Sequence, residues 1–490
     1  MHAADRVFAE RALELGVDFR HQSGATGRLY MPETTGSGVA LLDFDDDGDL
    51  DLYLGQGGPL GEGEPVSDRL FRNDLSAGGS WRFVDVTAAS RIAASSYAQG
   101  IAVGDADNDS LEDLYLANFG RDQIWFNNGD GTFREGTDES GLGDSGWSAS
   151  ALFFDYDKDG LQDLFVTRYL QYSLASHKDC FFTTGSADYC KPGSYTPMTD
   201  LLYHNIGAGR FEVVTDTEIA RLRANGLGAI AADLDEDGWI DLYVANDQMP
   251  NFLWLNRQGR GFDEMALISG VALNSAGMAE ASMGVVAADL DRDGRRDLFM
   301  THLDGETNTF FRNLGEGLFA DQTRQFGLAT ASVPRTSFGV ASLDFDLDGW
   351  LDLAITNGAV HIDFDQLRAG ADLPLAQSDQ LLHNEADRFE DVSRQVGADV
   401  LDPTVGRGLA AGDLNNDGHS DFVVNNAHGP ARLFVADAGS GGNWIGFELA
   451  VGTAVSGSEG ARIEIDAGSE RPQVGWVQRG GSYLSSGDPR

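Results

Sequence analysis

Seven copies of one acidic loop set the limits on what this chain can fold into. The string Asp43-Phe44-Asp45-Asp46-Asp47-Gly48-Asp49-Leu50-Asp51 has the form D-x-D-x-D-G-x-x-D, and equivalents begin at Asp105, Asp155, Asp233, Asp289, Asp344 and Asp413. Oxygen donors stand at loop positions 1, 3, 5 and 9: Asp43, Asp45, Asp47 and Asp51; Asp105, Asp107, Asp109 and Asp113; Asp155, Asp157, Asp159 and Asp163; Asp233, Asp235, Asp237 and Asp241. The same positions hold Asp289, Asp291, Asp293 and Asp297; Asp344, Asp346, Asp348 and Asp352; and Asp413, Asn415, Asp417 and Asp421. Alternate side chains of a tight loop converge on one centre, which suits Ca²⁺ with its six to eight oxygen ligands. Up to seven Ca²⁺ ions are expected, held most weakly at the seventh loop, where Asn415 is a neutral donor. Position 7 should offer only its backbone carbonyl, so its side chain is free to vary. It does: Asp49, Leu111, Leu161, Trp239, Arg295, Trp350 and His419. Position 6, where the backbone reverses, is Gly in every copy but the second, which has Ser110.

An EF-hand begins the same way but needs a bidentate Glu at position 12. Here that position is Leu54, Leu116, Val166, Val244, Met300, Ile355 or Val424, inside short β-prone runs such as Leu52-Tyr53-Leu54, so the EF-hand is rejected. A small-residue apolar run precedes each loop, as in Gly38-Val39-Ala40-Leu41-Leu42, and the two flanks read as a hairpin. A third strand ends in Asn73, Asn127, Asn205, Asn256, Asn313 or Asn384, and a fourth opens with Phe, as in Phe83-Val84-Asp85-Val86-Thr87. Four short strands repeated seven times are the arithmetic of an all-β, seven-bladed β-propeller. The seventh repeat stops after Arg432-Leu433-Phe434-Val435-Ala436-Asp437 without a fourth strand, whereas Val7-Phe8-Ala9-Glu10-Arg11-Ala12-Leu13 fits that pattern. The N-terminal strand is therefore expected to complete the last blade and remove a free sheet edge.

A formal charge of −44 excludes nucleic acid as an electrostatic partner and disfavours anionic membranes. No run of about 18 apolar residues offers membrane insertion. The first residues lack the basic-then-apolar pattern of a secretory leader. Cys180 and Cys190 lie in one irregular segment. Either a disulfide closes that loop or two loop thiols stay unpaired.

The loops, with their Gly-x-x-x-x-Asp, Asp-Leu-Tyr-Val and Leu-Phe-x-Asn surroundings, resemble FG-GAP/VCBS repeats, the calcium-binding blades of integrin α-like propellers and of many bacterial extracellular proteins. The resemblance covers residues 7 to 437 and assigns 1–437 to the propeller. After Gly439-Ser440-Gly441-Gly442, read as a flexible linker, residues 438–490 resemble an ASPIC/UnbV module, a small β segment that follows such propellers in proteins similar to cartilage acidic protein 1. Its markers are Asn443-Trp444-Ile445-Gly446-Phe447-Glu448-Leu449, Gly460-Ala461-Arg462-Ile463-Glu464-Ile465 and Gly480-Gly481-Ser482-Tyr483-Leu484-Ser485-Ser486-Gly487-Asp488-Pro489-Arg490. The module usually runs on to a Gly-Leu-Gly close, so the tail reads as clipped.

Extracellular calcium modules bind at about 10⁻⁴ to 10⁻³ M, which micromolar cytosolic calcium would not saturate. The expected setting is therefore extracellular or periplasmic. One functional reading is a binding or adhesion module for a protein or glycan partner, met through the long insertions from Tyr169 to Asp200 and from Gly358 to Ser378. Tyr169, Tyr172, Phe181, Phe182, Tyr189 and Tyr195 are either a recognition surface or the packing of a long loop on itself. The alternative is a propeller enzyme acting on a polysaccharide or natural-product intermediate. Its candidate acid and base groups lie just past the second strands: Arg168, Asp247, His302 with Glu306, Asn357 with His361, and His428. Convergence of these residues in one axial pocket would favour the enzyme.

Overall fold

The computed structural model describes residues 7–75, 81–181, 185–436, 443–447, 449, 459–466 and 472–489. Phe182, Asp437, Glu448, Arg490 and the Gly439–Gly442 stretch read above as a linker lie outside them.

The chain is all-β apart from single turns of helix. Strands Val39–Leu42, Asp51–Leu54, Arg69–Leu75 and Trp81–Asp85 form an antiparallel sheet in sequence order, and Leu42 opposite Asp51 makes the acidic loop the hairpin connection. The same order recurs from Tyr97 to Glu135, Ser145 to Val213, Gly226 to Glu264, Val285 to Asp321 and Ser337 to Asp391. The second and third sets join as one eight-stranded sheet because Ser145–Trp147 pair with Phe119–Arg121. The last set is Gly406–Gly412, Asp421–Asn426 and Arg432–Ala436, and its outer strand comes from the other end of the chain. Phe8 lies opposite Ala436 and Glu10 opposite Phe434.

The first strands of successive sets touch in a closed cycle, the last against the first. Gly, Ala and Val predominate in them and nearly all their residues are buried, as crowding near an axis requires. Apolar side chains fill the gaps between neighbouring sheets: Ala40, Tyr53 and Leu70 meet Ile101, Val103 and Leu114, and Val423 and Leu433 meet Val39 and Leu52. This is why the strands read as continuous apolar runs, since both faces are covered. The architecture is propeller-like.

The tail enters the middle of that cycle. Arg462–Ile465 and Gln473–Trp476 pair as a two-stranded sheet, and residues 479–488 then form a loop closed at its base by the Gly487 N–H to Arg479 carbonyl bond of 2.9 Å. Its tip, Tyr483 and Leu484, is at most 1% exposed. Main-chain bonds join Ser482 to Val285, Leu484 to Ile101, Ser486 to Val39 and Leu41, and Asp488 to Ala411, so the loop is held by four of the inner strands. The Ser482, Ser485 and Ser150 hydroxyls add bonds to Val340, Val39 and Leu484 main-chain N–H groups. Gly38 is required here, because a Cβ on it would lie 1.7 Å from the Leu484 carbonyl oxygen.

At the opposite end of the axis the two insertions fold inward. Cys180 and Cys190 are disulfide-bonded, and Asp188 of the first insertion accepts from His361 of the second at 2.7 Å. Tyr169, Tyr172 and Tyr189 are buried and Tyr195 half-buried; Phe181 is 64% exposed. Tyr169 and Tyr172 pack against Trp147, and Tyr189 clusters with Leu373 and Leu375 of the second insertion, leaving Phe181 as an outward apolar group.

Candidate metal centres

All seven acidic loops share one backbone. Position 6 has positive φ in each, from 75° at Ser110 to 89° at Gly160 and Gly238. Position 4 does too, at Asp46, Asn108, Lys158, Glu236, Arg292, Leu347 and Asn416. The sequence gives no common residue type at position 4, so this second reversal was invisible there. Two reversals in three residues wrap the chain so that the position-1 carboxylate accepts the N–H of position 6 at 2.8–3.0 Å in every loop. The position-5 carboxylate likewise accepts the N–H of position 7 at 2.8–3.1 Å. A serine in the left-handed region costs about 1–2 kcal/mol and glycine recovers part of that after its own entropy loss. Ser110→Gly is therefore expected to stabilise the fold by about 0.5–1 kcal/mol, read as a raised urea midpoint at unchanged slope.

Position 9 anchors each loop to its sheet. These aspartates are at most 1% exposed. Each accepts the position-2 N–H at 2.9–3.2 Å. The other oxygen accepts a third-strand N–H at 2.7–2.8 Å, from the Asn that ends that strand or, in the last set, from Ala436. The Asn side chains carry a role that sequence reading passed over. Each Asn Nδ2 donates at 2.7–3.1 Å to the position-2 carbonyl of a neighbouring loop, for example Asn256 to Tyr156, riveting one sheet to the next. Removing the donor leaves buried carbonyls unpaired, so Asn256→Ala is expected to cost about 2–3 kcal/mol in chemical denaturation.

Each loop gathers three or four carboxylates in little space. Oxygens of Asp43, Asp45 and Asp51, of Asp105, Asp107 and Asp113, and of Asp155, Asp157 and Asp159 lie within 4.8 Å of one another. Two clusters add a histidine: Asp157 and Asp163 with His204, and Asp346 and Asp348 with His383. Burial pushes the position-9 carboxyls up, Asp51 to about 9, Asp113 and Asp352 to about 8 and Asp163 to about 7. Without added positive charge these sites resist full ionisation. Five buried oxygens, Oδ1 of Asp45, Asp107, Asp155, Asp233 and Asp346, have no hydrogen-bond donor. Buried carboxylate oxygens left without a donor fit a hard cation, and donor sets made mainly of carboxylate oxygens, with nitrogen only from His204 and His383, fit Ca²⁺ better than a softer metal.

The proposed acid and base groups do not assemble. Arg168 pairs with Asp144 at 2.8 Å and donates to the Ser145 carbonyl, away from the others. His302 is 1% exposed, held by the Ser282 hydroxyl at 3.1 Å, and burial lowers it to about 3. Glu306 accepts the Ala281 N–H, Asn357 accepts the Ser337 hydroxyl, and His428 meets Ser23. Among the described residues, Asp247 and His361 line one cavity, with Tyr169, Tyr189 and Tyr483. That cavity has ≈ 50 Å³ of free volume, room for a few waters and not for a sugar ring. Asp247 is engaged there by the Tyr169 hydroxyl at 2.5 Å.

Known proteins resemble the chain in the same parts. A family described as FG-GAP-like repeat matches residues 105–166, 233–300 and 289–355, the stretches that run from one acidic loop to the strand after the next. Cartilage acidic protein 1 of Mus musculus is 24% identical over 335 residues, 66% of this chain and 48% of that protein. The Xenopus tropicalis protein of the same name is 29% identical over 167 residues, 32% of this chain and 25% of the relative. The chain thus spans between a quarter and about half of the curated relatives it matches. Among solved structures, YCF48 bound to D1 peptide aligns with a TM-score of 0.46 at 8% identity, covering 86% of this chain and 96% of that one. An Agrocybe aegerita lectin, described as recognising non-reducing terminal N-acetylglucosamine, aligns at 0.43 and 15% identity, covering 82% and 94%. The chain thus carries FG-GAP-like repeats and is distantly similar to cartilage acidic protein 1.

Proposed function

We propose that this chain is a calcium-stabilised, seven-bladed β-propeller that serves as a binding module for a protein or glycan partner in a calcium-rich extracellular or periplasmic setting. Counting the eight-stranded sheet as two blades gives seven. The observation that carries the reading is the set of buried carboxylate oxygens without donors inside loops of one shared geometry. Ca²⁺, when bound, would supply positive charge, and the side-chain oxygens at positions 1, 3, 5 and 9 would hold it. The loop's own N–H groups pre-position those carboxylates, and the position-9 aspartates pass the constraint to the third strand. The Cys180–Cys190 disulfide suits an oxidising compartment. No helix among the described residues is long and apolar enough to cross a membrane.

The partner surface we assign is the outer face of the two folded insertions, where Phe181 and Leu367 are 64% and 46% exposed. A disulfide and the His361–Asp188 bond make it a rigid platform, the usual place for recognition. The enzyme reading gains no support from side chains that lie apart. The test is binding of the calcium-loaded full chain to immobilised glycans and extracellular-matrix proteins. Saturable binding that Phe181→Ala and Leu367→Ala weaken at least tenfold, at unchanged melting temperature, is expected. Binding indifferent to both substitutions would overturn the assignment.

A further inference from the structure

We infer that the seven loops are not equivalent: five take a cation, whereas the fifth and seventh are closed by the protein's own side chains. This rests on the calcium reading above. In the fifth loop Arg312, one residue before the strand-ending Asn313, pairs with Asp291 and reaches Asp293 Oδ2 at 3.0 Å. Arg295, at position 7 of the same loop, pairs with Asp293 and donates Nε to the Asn313 carbonyl at 3.1 Å. Two guanidiniums thus sit on the carboxylates of positions 3 and 5. Arginine does not give up its proton in proteins, so this charge stays in place.

The residues matching Arg312 on the other third strands behave differently. Arg72 turns to Asp74 at 2.8 Å, and Phe126, Leu255 and Val435 carry no charge. His204 and His383 do approach their loops, His383 Nε2 lying 3.1 Å from Asp346 Oδ2, but Oδ1 of Asp155 and Oδ1 of Asp346 stay without a donor. Arg134 reaches Asp107 at 3.3 Å by one oxygen only, leaving Asp107 Oδ1 without a donor. In the seventh loop the Asn415 side chain donates Nδ2 to Asp417 Oδ2 at 3.0 Å, so the side chains of positions 3 and 5 bind each other. The donorless buried oxygens follow the same division. Loops 1, 2, 3, 4 and 6 each hold one, and loops 5 and 7 hold none.

Native mass spectrometry of the full chain with Ca²⁺ as the only added metal reads the stoichiometry directly. The wild type is expected to saturate at five ions, the Arg295→Leu/Arg312→Leu double variant at six and Asn415→Asp at six. Asn415→Asp is nearly isosteric and keeps the test open should the arginine variant fail to fold. Seven ions in the wild type, or five in both variants, would overturn the inference while leaving calcium binding intact. No uptake at all would overturn the calcium reading with it.

Discussion

Withdrawal of calcium is expected to remove about 7 kcal/mol of stability. A site with Kd near 0.1 mM at about 1 mM free Ca²⁺ contributes about 1.4 kcal/mol by linkage, provided the unfolded chain binds none, and five such sites sum to that figure. Since ordinary domains are stable by about 5–15 kcal/mol, the loss is comparable with the whole. The cause is local. With no cation, the clustered aspartates of each loop repel one another beside a position-9 carboxyl that burial already pushes upward. Urea unfolding in 1 mM CaCl₂ against excess chelator should show the midpoint falling steeply, with Mg²⁺ a poor substitute because it dehydrates reluctantly and demands octahedral geometry. Superimposable curves would refute a stabilising role.

Tyr483→Ala is the substitution with the largest expected effect, about 3–5 kcal/mol, the range for truncating a buried aromatic side chain. Tyr483 is fully buried, packs edge-on against Phe338 at 4.9 Å and donates its hydroxyl to the Thr35 carbonyl. It is the tip by which the tail loop reaches from the acidic-loop end of the axis toward the folded insertions. At the base, Arg479 pairs with Glu112, whose other oxygen accepts the Asp43 N–H at 2.9 Å, so the tail is tied to the first acidic loop. Loss of the tip should free this segment. Limited trypsin digestion is expected to cut after Arg479 in the variant and to spare it in the wild type, where that side chain is 11% exposed. Equal protection of the two proteins would show that the tail does not depend on its buried tip.

The repeat units were legible because each requirement leaves a residue behind. Carboxylates at alternate positions, Gly at the reversal, apolar runs on both sides and Asn at the third-strand end all recur. The N-terminal strand could be matched to the last blade since Phe8 keeps the fourth-strand pattern. What escaped the sequence has no such imprint. Position 4 takes a left-handed backbone with seven side chains sharing no chemistry, Leu347 among them, because the loop's hydrogen bonds impose it. The tail's seat among the inner strands uses mainly backbone groups, and glycines such as Gly38 and Gly412 hint at it only through close approaches that no periodicity reveals. The strand-end histidines and acids failed to converge because the insertions that follow them decide where each points. His361 is drawn to Asp188, while His302 sinks beside Ser282. The insertion aromatics turned inward because Trp147 and the second insertion's Leu373 and Leu375 offer them apolar partners.

Crystals grown in calcium and measured at a long wavelength, where calcium scatters anomalously, give the most direct test of the central claim. Anomalous peaks are expected between the carboxylates of positions 1, 3, 5 and 9 in loops 1, 2, 3, 4 and 6, each with oxygen ligands at about 2.3–2.6 Å. Loops that hold only water, with no anomalous signal at any of those five centres in millimolar calcium, would contradict it.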